Sequence, residues 1–84
     1  MPSFTHKREY RILTELLKDT RLQVGMTQED VASAWGTTQS VISKVERGER
    51  RLDIIQFIEY CEILGLPAEA EFARLLSALQ PSSE

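Results

Sequence analysis

The sequence predicts an all-α domain of five helices, and three features of the chain support this. Apolar residues recur at intervals of three and four positions, the spacing of one face of a helix. Residues that cap helix N-termini divide the chain, as do glycines that can end a helix. The caps are Thr27, Thr38 and Asp53, and the glycines are Gly25, Gly36, Gly48 and Gly65. We predict helices over 8–24, 27–35, 38–47, 53–64 and 68–79, with a flexible arm (1–7) before them and a tail (80–84) after them.

The first helix begins where the periodic pattern starts, at Arg8. Its apolar positions repeat at three and four residues, with charged side chains on the opposite side; they are Tyr10, Leu13, Leu16 and Leu17. The preceding seven residues have no such pattern, so we expect a loose arm.

The second and third helices are short, and Gly36 lets the chain turn between them. Asp30 lies three residues after Thr27, the spacing of a capping box, and Met26 and Val31 can form a hydrophobic staple. The expected inward side chains are Val31, Ala32, Trp35, Ile42 and Val45. Polar residues remain on the outside of the third helix: Gln39, Ser40, Ser43 and Lys44. Such side chains are suited to reading base edges in the major groove of DNA.

The segment 27–48 resembles the helix-turn-helix of the Cro/repressor-type family, also called the XRE family. The resemblance is carried by Gln28, Ala32, Gly36, Ile42, Val45, Glu46 and Gly48. It implies a lambda-repressor-like fold and a prokaryotic or phage-type regulator that binds double-stranded DNA. An αα-hairpin with no role in DNA binding is the competing interpretation. The glutamine that leads the second helix and the Glu-Arg-Gly ending favour recognition of DNA.

Four residues of the third helix are the predicted base contacts. Gln39 is the best candidate, since a glutamine can bond adenine N6 and N7 together. Lys44 would reach guanine or, failing that, a phosphate. Ser40 and Ser43 could contact bases, the backbone or bridging water.

The predicted contacts to the DNA backbone surround the third helix. Gln28 is implied by the family's use of a glutamine at this position, and Thr38 is also expected there, although it is the N-cap as well. Three arginines follow the helix: Arg47, Arg50 and Arg51. The alternative for the arginines is that they belong to a solvated turn and do not contact phosphate. The alternative for Gln28 is that it is an ordinary surface residue of the helix. His6 and Lys7 could touch phosphate from the arm, but an unstructured terminus is favoured.

Three further residues have structural roles in this interpretation. In the family an arginine of the first helix pairs with the glutamate after the recognition helix, which here implies a pair of Arg21 and Glu46. Trp35 is expected in the core rather than as a stacking platform.

The fourth helix is apolar on more than one face, and Cys61 within it is expected to be a buried, unreactive thiol. The fifth helix has an apolar stripe, with Glu71 expected elsewhere on its surface. The stripe consists of Phe72, Leu75, Leu76 and Leu79. It is predicted to be a dimer interface, with packing inside the monomer as the alternative.

Composition limits the class of protein. With 42% hydrophobic and 27% charged residues the chain is ordinary soluble material. No apolar stretch approaches the roughly 20 residues that span a bilayer, and no secretory signal is visible, so we expect a cytoplasmic, nucleoid-associated protein. One Cys and one His cannot form a structural zinc site, and no metal or cofactor is predicted. Without a nucleophile–base pair or a phosphate loop, we predict no enzyme.

The charge is divided unevenly along the chain, which has a net charge of −3. Residues 1–51 carry +2 and residues 52–84 carry −5, which suits one end facing DNA and another facing solvent or a partner. The chain is therefore predicted to be a DNA-binding transcriptional regulator, a repressor that binds a palindromic operator as a homodimer. The alternative is an antitoxin-like or adaptor module whose acidic C-terminal helices bind a protein partner.

Overall fold

The computed structural model describes residues 8–80, and every regular element in that range is a helix. The helices are α1 (Arg8–Gln23), α2 (Gln28–Trp35), α3 (Gln39–Glu46), α4 (Ile54–Leu64) and α5 (Ala68–Leu79). The all-α, five-helix prediction is confirmed. The predicted arm, with His6 and Lys7, and residues 81–84 of the tail lie outside the described residues. None of these five helices is long and apolar enough to cross a membrane.

Four helices are shorter than predicted because their end residues are caps or lie beyond the last turn. Thr27, Thr38 and Asp53 have extended backbone conformations and act as N-caps. Arg47 is the C-cap of α3, and α1 ends at Gln23. The fifth helix has the predicted bounds.

Side-chain caps hold the N-termini of α2, α3 and α4. The Thr27 hydroxyl accepts from the Asp30 N–H at 3.0 Å while the Asp30 carboxylate accepts from the Thr27 N–H at 2.9 Å, a complete capping box. Asp53 and Gln56 form a second box at the start of α4. Between α2 and α3, Gly36 has φ 77°, a left-handed conformation that favours glycine. The sequence therefore determines the two short helices and their turn locally.

The core lies between α1, α2, α3 and α4. Its fully buried apolar side chains are Leu17, Val31, Ala32, Ile42, Val45, Phe57, Tyr60, Cys61 and Leu64. Of the five expected inward residues of the helix pair, only Trp35 is not fully buried. Its ring packs edge-on against Tyr60 with centroids 5.5 Å apart, and its Nε1 donates to Glu59 Oε1 at 3.0 Å. Trp35 therefore belongs to the edge of the core.

The buried residues of α4 are not its most hydrophobic residues. Tyr60 is completely buried, whereas Ile54, Ile55 and Ile58 are exposed. Tyr60 is buried in part because its hydroxyl donates a hydrogen bond to the buried carboxylate of Glu46 on α3.

The rotation of α5 about its own axis differs from the one expected from the sequence, because Glu71 faces the interior. This residue is buried, with 1% of its surface exposed, whereas Phe72 and Leu76 are 43% and 45% exposed. Glu71 Oε2 lies 2.7 Å from the hydroxyl of Thr20 on α1, and Glu71 Oε1 accepts from Arg74 at 3.2 Å. The expectation that Glu71 lies away from the packed face was wrong, because these two partners satisfy the carboxylate inside the protein.

Candidate nucleic-acid interface

The third helix presents one polar side to solvent. Ile42 and Val45 are buried and anchor the opposite side. The predicted base contacts are exposed except for Ser43, which is half-buried; they are Gln39, Ser40, Ser43 and Lys44. Because residues four apart are neighbours on a helix, these residues form one continuous surface.

The start of α3 lies beside the start of α2. Gln39 Nε2 donates to Gln28 Oε1 at 2.5 Å, so the first residues of the two helices are in direct contact. Helix N-termini carry free backbone N–H groups and the positive end of the helix dipole. Two such ends together suit a phosphate group. Thr38 remains engaged as the N-cap of α3, accepting from the N–H of Val41.

Behind these glutamines, the carboxylate of Glu46 joins four helices. Arg21 donates to it from Nε at 2.6 Å and from Nη2 at 3.1 Å. Gln28 Nε2 donates at 2.9 Å and the hydroxyl of Tyr60 at 3.3 Å. Arg21 also donates to the carbonyl oxygen of Met26 at 2.8 Å. The structural pair implied by the family resemblance is thus present, with side chains 7% and 4% exposed.

The electrostatics of this cluster favour the charged forms of the pair. Burial raises the pKa of Glu46, but the hydrogen bonds from Arg21 and Gln28 and the charge of Arg21 outweigh it, so the pKa of Glu46 is lowered. The hydrogen bond to Glu46 raises the pKa of Arg21. Burial, and then the neighbouring carboxylate, raise the pKa of Tyr60, which stays a neutral donor. Glu46 is therefore ionised at neutral pH.

The three arginines predicted at the DNA backbone have different surroundings. Arg47 is exposed, donates to the hydroxyl of Ser43 and forms an ion pair with Glu49 at 3.1 Å. The guanidinium of Arg51 lies 5.1 Å from the ring centroid of Tyr10. Arg50 lines a shallow groove beside Trp35. Arg47 and Ser43 would have to exchange partners in order to contact DNA.

Two tyrosines support the interface without being predicted to do so. Tyr60 holds Glu46 from α4, and the hydroxyl of Tyr10 accepts from the N–H of Leu52 at 3.2 Å, which ties α1 to the segment after α3. In the sequence both look like ordinary core aromatics, and no local signal indicates where their hydroxyl groups point.

Cys61, the one cysteine of the chain, is fully buried. Burial, with Glu71 and Glu62 nearby, raises the pKa of its thiol to about 11. Within residues 8–80 no three His, Cys, Asp or Glu side chains are grouped so that they could hold a metal ion.

Two short helices joined by a glycine turn, the second with an exposed polar side, define a helix-turn-helix protein. Comparison with known proteins agrees with this class: a family model described as Helix-turn-helix matches residues 17–70. No significant match to a curated protein was found.

Solved structures extend the match over most of the chain. An XRE-family like protein from Pseudomonas syringae pv. tomato str. DC3000 is 36% identical, with 89% of this chain and 92% of that one covered and a TM-score of 0.81. The restriction-modification controller protein C.Esp1396I, solved as a tetramer in complex with its natural 35 base-pair operator, is 28% identical (86% and 95% covered, TM-score 0.77). The clp gene regulator ClgR from C. glutamicum has the same fold at 18% identity (92% and 100% covered, TM-score 0.77). The chain belongs to the XRE family of helix-turn-helix proteins and is a DNA-binding transcriptional regulator.

Proposed function

We propose that the protein represses transcription by binding a palindromic operator as a homodimer, with α3 of each protomer in a major groove. The observation that carries this proposal is the exposed polar side of α3, held on a scaffold by buried Ile42 and Val45. A rigid helix that shows hydrogen-bonding groups can report base identity because each base pair presents a distinct pattern in the major groove. Association with the nucleoid follows from this activity.

The predicted residues take two kinds of role in the proposed complex. Base contacts come from Gln39, Ser40, Ser43 and Lys44. Backbone contacts come from Gln28 and Thr38 at the helix N-termini and from Arg47, Arg50 and Arg51 after α3. Arg47 first leaves Glu49, an exchange with little cost because exposed ion pairs are weak.

The homodimer is supported by an exposed apolar surface on the last two helices, here called the α4–α5 surface. It comprises Ile54, Ile55 and Ile58 of α4 and Phe72 and Leu76 of α5; Leu75 and Leu79 of α5 are half-buried. Ile54 and Phe72 line one shallow apolar groove, and the ring of Phe72 packs edge-on against Phe57 with centroids 6.4 Å apart. Contiguous apolar patches on small domains mark interaction sites. C.Esp1396I, tetrameric on its operator, provides a related example.

The distribution of charge fits the same arrangement. Residues 52–84 carry −5, so the C-terminal helices would be repelled by DNA and would lie away from it. Residues 1–51, which contain α3 and its arginines, carry only +2. Non-specific attraction is therefore weak, and the second protomer contributes needed affinity.

The experiment is selection from a random duplex library by fluorescence anisotropy, at several salt concentrations. We expect an enriched palindrome with half-sites about one helical turn, roughly 34 Å, apart. The Gln39→Ala variant should lose discrimination at one symmetric position while remaining folded by circular dichroism. Binding that is sequence-blind and vanishes as salt rises would contradict the proposal.

The dimer is tested separately by sedimentation equilibrium. Leu76→Glu places a charge in the α4–α5 surface and should give a monomer. Leu22→Glu is the matched control: Leu22 is also exposed, but it lies on α1 and is not part of the α4–α5 surface. If both variants remain dimeric, the interface lies elsewhere.

The exposed, acidic C-terminal half also supports a second candidate, a module that binds another protein. It would be favoured if neither Gln39→Ala nor Leu76→Glu changed binding to the selected duplex. In that case α3 would not be the reading element.

A further inference from the structure

We propose that Tyr10 positions Arg51 to contact a DNA phosphate, and that Arg51 is therefore the strongest backbone contact among the three arginines after α3. This inference rests on the proposed function and deepens it. Tyr10 lies on α1, outside the helix-turn-helix, and acts on DNA only through Arg51.

The side chain of Tyr10 contacts the segment after α3 on both sides of Arg51 and at Arg51 itself. Its hydroxyl accepts from the N–H of Leu52 at 3.2 Å. The guanidinium carbon of Arg51 lies over the ring, 5.1 Å from its centroid. The ring also lies next to Gly48, where a Cβ atom would be 3.9 Å from Cδ2 and Cε2 of Tyr10. One half-buried side chain thus holds the backbone and the charged group together.

The start of this segment is held by α3. The N–H groups of Glu49 and Arg50 both donate to the carbonyl oxygen of Lys44, at 2.8 and 3.2 Å. The segment is therefore attached to α3 at one end and to Tyr10 at the other. Arg51 consequently has a defined position relative to α3, the helix that enters the major groove in the proposed complex.

Arg51 differs from the other two arginines in what it already contacts. Arg47 donates from Nε and Nη2 to the two carboxylate oxygens of Glu49, each at 3.1 Å. Arg50 lines a groove that also contains Glu59. Within residues 8–80, no carboxylate forms an ion pair with Arg51, whose side chain is exposed. Its N–H groups are therefore available to a phosphate without breaking a bond to an acid.

Contact with an aromatic ring leaves the donors of an arginine usable. The guanidinium meets a ring through its flat face, whereas its five N–H groups point outward in its own plane. An ion pair instead occupies the N–H groups that a phosphate would accept from. The ring of Tyr10 can thus restrict the Arg51 side chain before DNA binds, so that less conformational entropy is lost on binding.

The test is a double-mutant cycle on a duplex selected with the wild-type protein, with affinities measured by fluorescence anisotropy. Tyr10→Leu removes the ring but keeps an apolar side chain. We expect it to weaken binding by about two- to tenfold for each protomer, because the cost of immobilising Arg51 then falls on the binding step. In an Arg51→Ala background the same change should weaken binding by less than about twofold. A purely structural role for Tyr10 predicts the same loss in both backgrounds and would overturn the inference.

The conservative variant Tyr10→Phe separates the ring from the hydroxyl. It keeps the ring under Arg51 and removes only the acceptor for the N–H of Leu52. Most of the affinity lost in Tyr10→Leu should be present in this variant. If Tyr10→Phe binds as weakly as Tyr10→Leu, the ring does not position Arg51.

A comparison of the three arginines keeps the inference falsifiable if Tyr10→Leu fails to fold, because all three side chains are exposed. Arg47→Ala, Arg50→Ala and Arg51→Ala are measured on the same duplex at several salt concentrations, with folding checked by circular dichroism. Arg51→Ala should lose the most affinity and should lower the salt dependence by about one phosphate contact for each protomer. An equal or larger loss in either of the other two variants would refute the inference.

The outcomes separate this inference from the proposed function. If wild-type protein selects no sequence, the proposed function is wrong and the role of Tyr10 falls with it. If a sequence is selected and Arg51→Ala binds it like wild type, the function stands and the inference is refuted. Tighter binding by Tyr10→Leu would also refute it, since the ring would then hold Arg51 away from DNA.

Discussion

The buried ion pair between Arg21 and Glu46 should be a major determinant of stability. Arg21→Met keeps a long, flexible side chain but removes the charge, leaving Glu46 with only Gln28 and Tyr60 as donors. Removing one partner of a buried pair typically costs about 3–5 kcal/mol, because the other charge stays buried without compensation. A domain of this size has a free energy of unfolding of about 4–13 kcal/mol. We therefore expect the variant to lose a large share of its stability.

The measurement is urea unfolding followed by the fluorescence of Trp35, the one tryptophan, at a fixed protein concentration because a dimer links stability to concentration. Arg47→Met is the matched control: it makes the same substitution in a pair with Glu49 whose side chains are 52% and 57% exposed. The control should unfold like wild type. If Arg21→Met lost no more stability than Arg47→Met, the assignment of the buried pair as a determinant of stability would be wrong.

Three other predictions concern titration and the buried polar groups. The pKa of Glu46 is lower in the folded protein than its ordinary value of 4.5. The stability that Glu46 contributes is therefore complete above pH 4.5 and is lost as the pH falls through the folded-state pKa. Urea midpoints should drop over this pH range in wild type, and less in Arg21→Met. Cys61, buried and with a pKa of about 11, should not react with a thiol reagent at pH near 8 until urea unfolds the chain; rapid reaction of the native protein would show that the site opens locally. Thr20→Val keeps the side-chain shape but removes the hydroxyl next to Glu71, and should lower the free energy of unfolding by about 1–3 kcal/mol; an unchanged urea midpoint would mean that this contact contributes nothing.

The elements that depend on neighbours in sequence could be predicted. The capping boxes at Thr27 and Asp53 and the turn at Gly36 require only residues a few positions apart, and all three are present. The outward side of α3 follows from the helix period once Ile42 and Val45 are assigned to the core. The pair of Arg21 and Glu46 was accessible only through the family resemblance, because nothing local links residues 25 positions apart.

Contacts between distant polar groups could not be predicted. The hydroxyl of Tyr60 reaches Glu46 from another helix, and Thr20 meets Glu71 across 51 positions. Hydrophobic periodicity assigns an acidic residue to the surface by default, because a buried carboxylate without partners is unfavourable. Only the folded arrangement shows that the partners exist.

The burial of Glu71 explains how α5 is oriented. Successive helix positions are about 100° apart, so a helix that directs Glu71 toward Thr20 must direct Phe72 to another side. Phe72 and Leu76 are 43% and 45% exposed, so turning α5 to bury them would gain only about 1 kcal/mol for each side chain, and it would take the Glu71 carboxylate away from the hydroxyl of Thr20. Polar burial thus fixes the rotation of this helix and keeps two large apolar side chains at the surface. In the proposed homodimer a second copy would cover them and recover that hydrophobic free energy, which is the physical reason for proposing the dimer interface on the α4–α5 surface.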